Sequence, residues 1–147
     1  MAITQAIANS FKKELLDGDH DFTAAPSGDI FKIALYTSSA TLNSATTSFT
    51  TTNEVANTGT YASGGDPLAG QNTSIASGVA IVDFADLSFT GVTLTARGAM
   101  IYNTSSAVTN AAVAILDFGA DKTATSGTFT IQFPAFTTSA AILRISG

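Results

Sequence analysis

Charged residues are scarce in this sequence. They occupy only 12% of the 147 positions, about half of the usual share of roughly 25% in soluble domains. The chain has six lysines and arginines against eleven aspartates and glutamates, and its formal net charge is −5. The basic residues are scattered and form no stripe that could neutralise phosphates, so we expect no nucleic acid as a direct partner. Threonine, serine, alanine and glycine take the place of the missing charged residues, which predicts a surface coated largely with hydroxyl groups.

Cysteine is absent from the chain, which excludes disulfides and thiolate metal sites. No stretch of about 18 apolar residues occurs, so the sequence predicts no membrane-spanning helix, and we expect no membrane as a partner. The N-terminal stretch MAITQAIANSFKKELL lacks a basic leader, an unbroken apolar core and a small-residue cleavage site. We therefore expect no signal peptide there, and we expect the protein to be made and folded in a cytoplasm.

The N-terminal residues carry a helical pattern, because apolar side chains recur every four positions. These residues are Ile3, Ile7, Phe11 and Leu15. Gly18 follows as a predicted C-terminal stop, since glycine adopts a positive φ without strain. We therefore predict one N-terminal amphipathic helix over residues 2–17.

Beyond Pro26 the apolar period changes from about four residues to two, as in half-buried strands. The predicted strands are 29–37, 68–75, 78–84, 91–97, 99–102, 111–118, 128–133 and 140–145. Gly98 is predicted to form a bulge. The polar segment 38–66 has few apolar anchors and is predicted to be a long ordered loop, a kind of segment that often binds partners. We predict one domain, 1–147, with a mainly β fold: an antiparallel β-sandwich of seven or eight strands, for which the jelly roll is one topology, with the N-terminal helix.

An acidic cluster, LLDGDHDF, follows the predicted helix. Its aspartates, Asp17, Asp19 and Asp21, alternate as in a calcium loop, but in that register the sixth position is not glycine and the twelfth is not glutamate. The negative end of the helix dipole also disfavours three carboxylates unless a cation offsets them. Three interpretations stay open: a solvated helix cap, a salt contact with a neighbouring subunit, and a metal site, for which these aspartates are weak candidates. We expect His20, the single histidine, on the surface or in the cap.

Motifs for catalysis are missing from the sequence, which has no nucleophile elbow, zinc-binding helix motif or phosphate-binding glycine loop. Two carboxylate pairs, Asp83 with Asp86 and Asp117 with Asp121, have the residue type that a glycosidase needs. Each pair, however, brackets the end of a predicted strand, where aspartate is a common turn former. We therefore expect no enzymatic activity, no catalytic residues and no cofactor.

The predicted sheets suggest assembly. Soluble monomers usually protect the edges of their sheets with lysine, proline or inward-pointing charges, and these residues are rare in the predicted strands. A surface with little charge also loses few hydrated ions when a partner covers it. We therefore predict contacts with copies of the same chain or with a partner lattice; a monomer whose long loop shields an edge is the alternative. The candidate partner contacts are Phe11, Asp19, Asp21, Phe49 and Tyr61.

Several stretches resemble small virion proteins of tailed bacteriophages. They are MAITQAIANSFKKELLDGDHDF, DIFKIALYTSSATL, TTNEVANTGTYASGG, ARGAMIYNTS and AVAILDFGADKTATSGTFTIQFP, which together cover nearly the whole chain. The resemblance implies a non-enzymatic virion component that is made in the cytoplasm of the bacterial host. The leading expectation is a capsid decoration (cement) protein that bridges subunits of the major capsid protein and forms lattice contacts or a homo-oligomer.

Two other functions stay open. Within the virion, the alternative is a tail, neck or fibre component with other virion proteins as its partners. From a different class, the alternative is a carbohydrate-binding or adhesin module. Its sugar platforms would be Tyr36, Tyr61 and Tyr102, the three tyrosines of the chain.

Overall fold

The computed structural model describes residues 2–147 and contains two antiparallel sheets and one short helix. The elements are β1 (Ala6–Ile7), α1 (Asn9–Asp17), β2 (Phe31–Tyr36), β3 (Asp66–Pro67), β4 (Asn72–Ala76), β5 (Val79–Asp83), β6 (Leu87–Asn103), β7 (Ala111–Ile131) and β8 (Leu143–Ile145). The larger sheet has the strand order β1-β7-β6-β2-β3, and the smaller sheet has the order β4-β5-β8. The predicted mainly β antiparallel sandwich of seven or eight strands with one helix near the N-terminus is confirmed.

The helix α1 begins at Asn9, so the prediction of a helix over residues 2–17 is wrong in its first half. The residues of β1 pair with β7, and Ile3 forms an isolated parallel bridge to Leu42. The sequence pattern misled because a spacing of four residues also fits a period of two, so it serves a strand face as well as a helix face. Gly18 ends the helix as predicted, with φ at 83°.

Strands β6 and β7 form one long antiparallel pair at the centre of the larger sheet. The predicted strands 91–97 and 99–102 are parts of β6. A register shift lies between Ala96 and Gly98, where a bulge at Gly98 was predicted, but the extra residues, 118–121, are in β7. A Cβ at position 98 would lie 2.4 Å from the Leu116 carbonyl oxygen, so only glycine fits there. The predicted strands 111–118 and 128–133 are joined in one strand, β7, which ends at Ile131. Residues 118–121 have no partner on β6, and pairing resumes at Lys122.

The core lies around β2 and the paired parts of β6 and β7. Its largest fully buried side chains include Phe31, Ile33, Leu35, Met100 and Ile101. The segment 38–66 is irregular up to Asp66, where β3 begins, and it buries Leu42, Val55 and Tyr61. Within residues 2–147, no helix has the length and apolar character needed to cross a membrane.

Candidate functional site: the open edge of strand β7

Strand β7 is 21 residues long, but it has sheet neighbours on both sides over only a small part of its length. Strand β6 covers one side, while β1 on the other side pairs only with Ala114 and Ile115. Residues 116–131 therefore have one sheet neighbour. Such an edge presents backbone N–H and C=O groups that can pair with another strand.

The start of this edge is closed by side chains. The Asp117 N–H donates to Oε1 of Gln5 at 3.3 Å, and the Gly119 N–H donates to Oδ1 of Asp117 at 2.9 Å. Arg97 Nε donates to the same carboxylate at 3.1 Å. The pKa of Asp117 is lowered from its ordinary value, first by the hydrogen bond from Gly119 and then by Arg97. The open β7 edge is therefore residues 120–131.

A groove of about 490 Å³ runs beside this edge. This volume lies within the range of roughly 300–1,000 Å³ that is typical of ligand sites. The groove residues are Gln5, Leu116, Asp117, Phe118, Lys122, Thr123, Thr128, Phe129, Thr130, Ile131, Gln132, Phe133, Pro134 and Ile142. Two of its aromatic rings, Phe118 and Phe129, have centroids 6.1 Å apart. The groove thus combines an apolar aromatic lining with an adjacent unpaired strand.

The groove has two charged lining residues, Asp117 and Lys122. Asp117 is paired with Arg97, whereas Lys122 is exposed and forms no salt bridge within residues 2–147. Lys122 therefore offers a positive charge to whatever occupies the groove.

His20 is buried, so its expected position on the surface is wrong, whereas it does lie beside the helix cap, just after Gly18. Its Nε2 lies 2.8 Å from Oε2 of Glu14, and its Nδ1 lies 2.9 Å from Nδ2 of Asn103. The other Nδ2 hydrogen of Asn103 is donated to Asp29 at 2.7 Å, and its Oδ1 accepts two backbone N–H groups. Because this network fixes the amide, Nδ1 of His20 accepts a hydrogen bond and its Nε2–H donates to Glu14. The cluster fastens α1 to the end of β6.

Two of the three aspartates of the acidic cluster have side-chain partners. The Asp17 carboxylate pairs with Lys13 in the same helix, and the Asp21 carboxylate accepts from Thr23. Asp19 contributes a backbone N–H, which donates to the Glu14 carbonyl at 2.9 Å. The hydrogen bond from the Thr23 backbone is the main cause that lowers the pKa of Asp21. The described part of the chain, residues 2–147, brings no three acidic, histidine or cysteine side chains together as a metal site would require.

The candidate partner contacts lie in different environments. Phe11 and Tyr61 are buried, with exposures of 4% and 1%, so their assignment to a contact surface is corrected: both belong to the core. Phe49 is half-buried and stacks on Tyr102 at 4.6 Å. Asp19 is half-buried and Asp21 is exposed, so these two remain accessible.

The three tyrosines are interior residues and cannot serve as the expected sugar platforms. Tyr36 donates its hydroxyl to the Thr50 carbonyl and Tyr102 donates to the Gly64 carbonyl, both at 2.6 Å. Burial raises the pKa of Tyr102 to about 12. All three side chains hold the 38–66 segment against the sheet.

The open β7 edge and its groove were missed in the sequence. The only signal was Phe129 and Phe133, which alternate with polar residues as in a strand, together with Phe118 earlier in the chain. That pattern is also expected of ordinary core positions, so it could not reveal that one side of β7 is uncovered.

Two aspartates of the predicted carboxylate pairs have structural roles. Asp117 is paired with Arg97, and Asp86 accepts a hydrogen bond from the Phe133 N–H at 2.8 Å.

Comparisons with protein-family models, curated proteins and solved structures find no match to this chain. The geometry of its surfaces is therefore the basis on which a function can be argued.

Proposed function

We propose that this protein is a non-enzymatic structural component of a bacteriophage particle, a capsid decoration (cement) protein that binds the head shell and stabilises it by contacts alone. The observation that carries the proposal is the open β7 edge, residues 120–131, with the aromatic groove beside it. Soluble monomers usually protect such an edge with lysine, bulges or a covering segment, because the edge can pair with other chains. This edge carries one lysine, Lys122, and register shifts against β6 between Asp117 and Lys122 and between Ala124 and Phe129, so its regular uncovered part is 129–131. In a lattice component the same edge is a binding surface.

The outer face of the β6–β7 pair also suits a covered surface. It carries the exposed hydroxyl residues Ser88, Thr90, Thr93, Thr95, Thr123, Thr125, Thr128 and Thr130. Some of these hydroxyls already bond to each other across the strands, at 2.8 Å for Ser88 and Thr130 and at 2.9 Å for Thr95 and Thr123. These paired hydroxyls keep their hydrogen bonds when a partner covers the face, which lowers the desolvation cost of binding.

A mass-spectrometric inventory and cryo-electron microscopy of purified particles from the source phage test the proposal. We expect the chain on the outer surface of the head, at seams between subunits of the major capsid protein. Density on the tail, neck or fibre would replace the decoration role with that of a tail component. Absence from purified particles would refute the virion function altogether.

A functional measurement complements the location. We expect heads that lack this protein to break at a lower temperature than complete heads, and we expect the purified chain to restore the difference when it is added back. Equal thermal resistance of heads with and without the protein would contradict a cement role. The physical reason is mass action: a ligand that binds only the intact shell must stabilise it.

A further inference from the structure

Strand β4 is another uncovered sheet edge, and it differs from β7 in being regular. Within residues 2–147 it has one sheet neighbour, β5, and the two strands pair along the whole of β4 without a register shift. All five residues of β4 are exposed. Lysine, proline and bulges usually protect a sheet edge, and β4, with the sequence NTSIA, has none of them.

The turn of the β4–β5 hairpin determines which backbone groups of β4 face outward. Ser77 and Gly78 have positive φ values, 50° and 77°, as the two central residues of a type I′ turn do. The residues that flank such a turn form a hydrogen-bonded pair, and these pairs alternate with non-hydrogen-bonded pairs along the ladder. By this alternation the N–H and C=O groups of Thr73 and Ile75 point away from β5, toward the open side.

Independently of the head-shell role, we infer that β4 pairs with β4 of a second copy of this chain. The two strands run antiparallel about a twofold axis at Ser74, so that Thr73 of each copy lies opposite Ile75 of the other. The outward N–H and C=O groups of these two residues then form hydrogen bonds between the copies. The two small sheets become one sheet of six strands, in the order β8-β5-β4-β4-β5-β8.

The side chains of β4 favour a second copy as the occupant. Ile75 is the one large apolar residue of the strand, and it is 73% exposed. In the inferred register the Ile75 residues of the two copies are diagonal neighbours on the same face, roughly 7–8 Å apart, a distance that long side chains bridge. Pairing therefore covers the same exposed isoleucine on both copies, as a twofold interface requires.

The charges of the small sheet do not oppose this pairing. Its three strands contain two charged residues, Asp83 and Arg144. Asp83 lies beside Asn72, at the end of the hairpin remote from the turn, so the two Asp83 carboxylates would lie at opposite ends of the paired strands. Arg144 is on β8, two strands from the edge, and the two Arg144 residues would be five strand spacings apart, roughly 24 Å.

The inferred interface is small. A stable complex uses about 20–30 residues on each side, whereas β4 supplies five. We therefore expect a reversible dimer that forms at high local concentration, which is the condition of copies held close together on a surface.

Disulfide trapping in the full chain tests the register. The chain has no cysteine, so Ser74→Cys introduces a single thiol, at the twofold axis. The two copies of position 74 form a non-hydrogen-bonded pair with Cα atoms roughly 4.5 Å apart, a separation that a disulfide can span. The matched control is Ala76→Cys on the same face of β4, where the two positions would be roughly 13 Å apart. We expect oxidation of concentrated protein to link Ser74→Cys into dimers and to leave Ala76→Cys largely unlinked.

Sedimentation equilibrium tests the contact between the two Ile75 side chains. We expect the unchanged chain to dimerise as its concentration rises, and Ile75→Lys to weaken dimerisation by at least about tenfold, because like charges become neighbours. Ile145→Lys is the matched control, because Ile145 is also an exposed isoleucine of the small sheet, at 58%, but lies on β8. An equal mixture of Ile75→Lys and Ile75→Asp should dimerise again, since the neighbouring charges are then opposite.

Several outcomes would overturn the inference. They are equal trapping of the two cysteine variants, no trapping of Ser74→Cys, an unchanged chain that stays monomeric at every concentration, and a dimer that Ile75→Lys leaves intact. Hydrogen exchange identifies a foreign occupant. Amides of Thr73 and Ile75 that become protected only on phage particles would show that another protein fills the edge, which also overturns the inference. Melting temperatures confirm that the variants are folded, as their exposed positions lead us to expect.

Discussion

Asn103 holds the buried polar cluster together, so replacing it with alanine should have a large effect on stability. Asn103 is fully buried, and its side chain donates to His20 and Asp29 while it accepts two backbone N–H groups of the following turn. In Asn103→Ala, Nδ1 of His20 is left buried without a partner, and the Asp29 carboxylate loses a donor. A buried group left unsatisfied costs roughly 1–3 kcal/mol, and a hydrogen bond to a charged group contributes roughly 1.5–3 kcal/mol.

We therefore expect Asn103→Ala to lower the free energy of unfolding by about 3 kcal/mol. The loss is not larger because water can reach part of the turn and replace some of the lost hydrogen bonds. For a chain of this length the loss corresponds to a fall in Tm of about 10 °C. Calorimetry or urea unfolding measures it. The matched control is Asn72→Ala on β4, where the side chain is exposed and the change should stay within about 0.5 kcal/mol.

The same network fixes the tautomer of His20, which gives a second assay of these hydrogen bonds. Because His20 is the single histidine, its ring nitrogens can be assigned without ambiguity by ¹⁵N NMR. We expect the tautomer that carries its proton on Nε2, since Nδ1 accepts from Asn103. A proton on Nδ1, or a loss in Asn103→Ala no larger than in Asn72→Ala, would refute the assigned hydrogen bonds.

Further expected outcomes concern the loop, the bulge and the charge beside the edge. Tyr61→Phe should cost about 2 kcal/mol in chemical unfolding, because the buried Leu35 N–H that donates to this hydroxyl at 2.8 Å loses its acceptor; an unchanged midpoint would contradict this. Gly98→Ala should destabilise the fold by roughly 1–3 kcal/mol through overpacking, and a neutral effect would mean that the strands separate easily. Because the pKa of Asp117 is lower in the folded protein than in the unfolded chain, its ionised carboxylate stabilises the fold. This contribution to the free energy of unfolding is complete above the pKa of the unfolded chain, about 3.9, and is lost as the pH falls through the pKa of the folded protein. An NMR titration should show this pKa rising in Arg97→Gln, and no rise would rule out the ion pair as a cause.

Local patterns predicted several elements well. The alternation in 29–37 located β2, the apolar run 78–84 located β5, and Gly18 marked the end of the helix. These features depend on neighbours within a few residues, so a single sequence is enough to find them. The close approach of two backbones at Gly98 was also visible, because a glycine that interrupts a strong strand pattern often marks such a position, although the extra residues of the register shift lie in β7.

The parts that could not be predicted depend on partners far away in the sequence. The β1 pairing joins Ala6 to Ile115, and no local pattern distinguishes that strand from a helical turn. His20 looked like a surface residue because its partners Glu14 and Asn103 become neighbours only in the fold. The open β7 edge is a property of strand order and of the shortness of β1, which composition does not encode.

The pairing of β1 with β7 also has a consequence for synthesis on the ribosome. The first strand cannot find its place until residue 115 has emerged, whereas the β6–β7 hairpin can form from adjacent parts of the chain. Contacts between distant residues form late, because closing a long loop costs entropy. We expect β1 to dock last. In newly made chains the uncovered edge of β7 would then also include Ala114 and Ile115, the residues that β1 later pairs with. Crowded polysomes would then be the place where this protein is most exposed to mispairing.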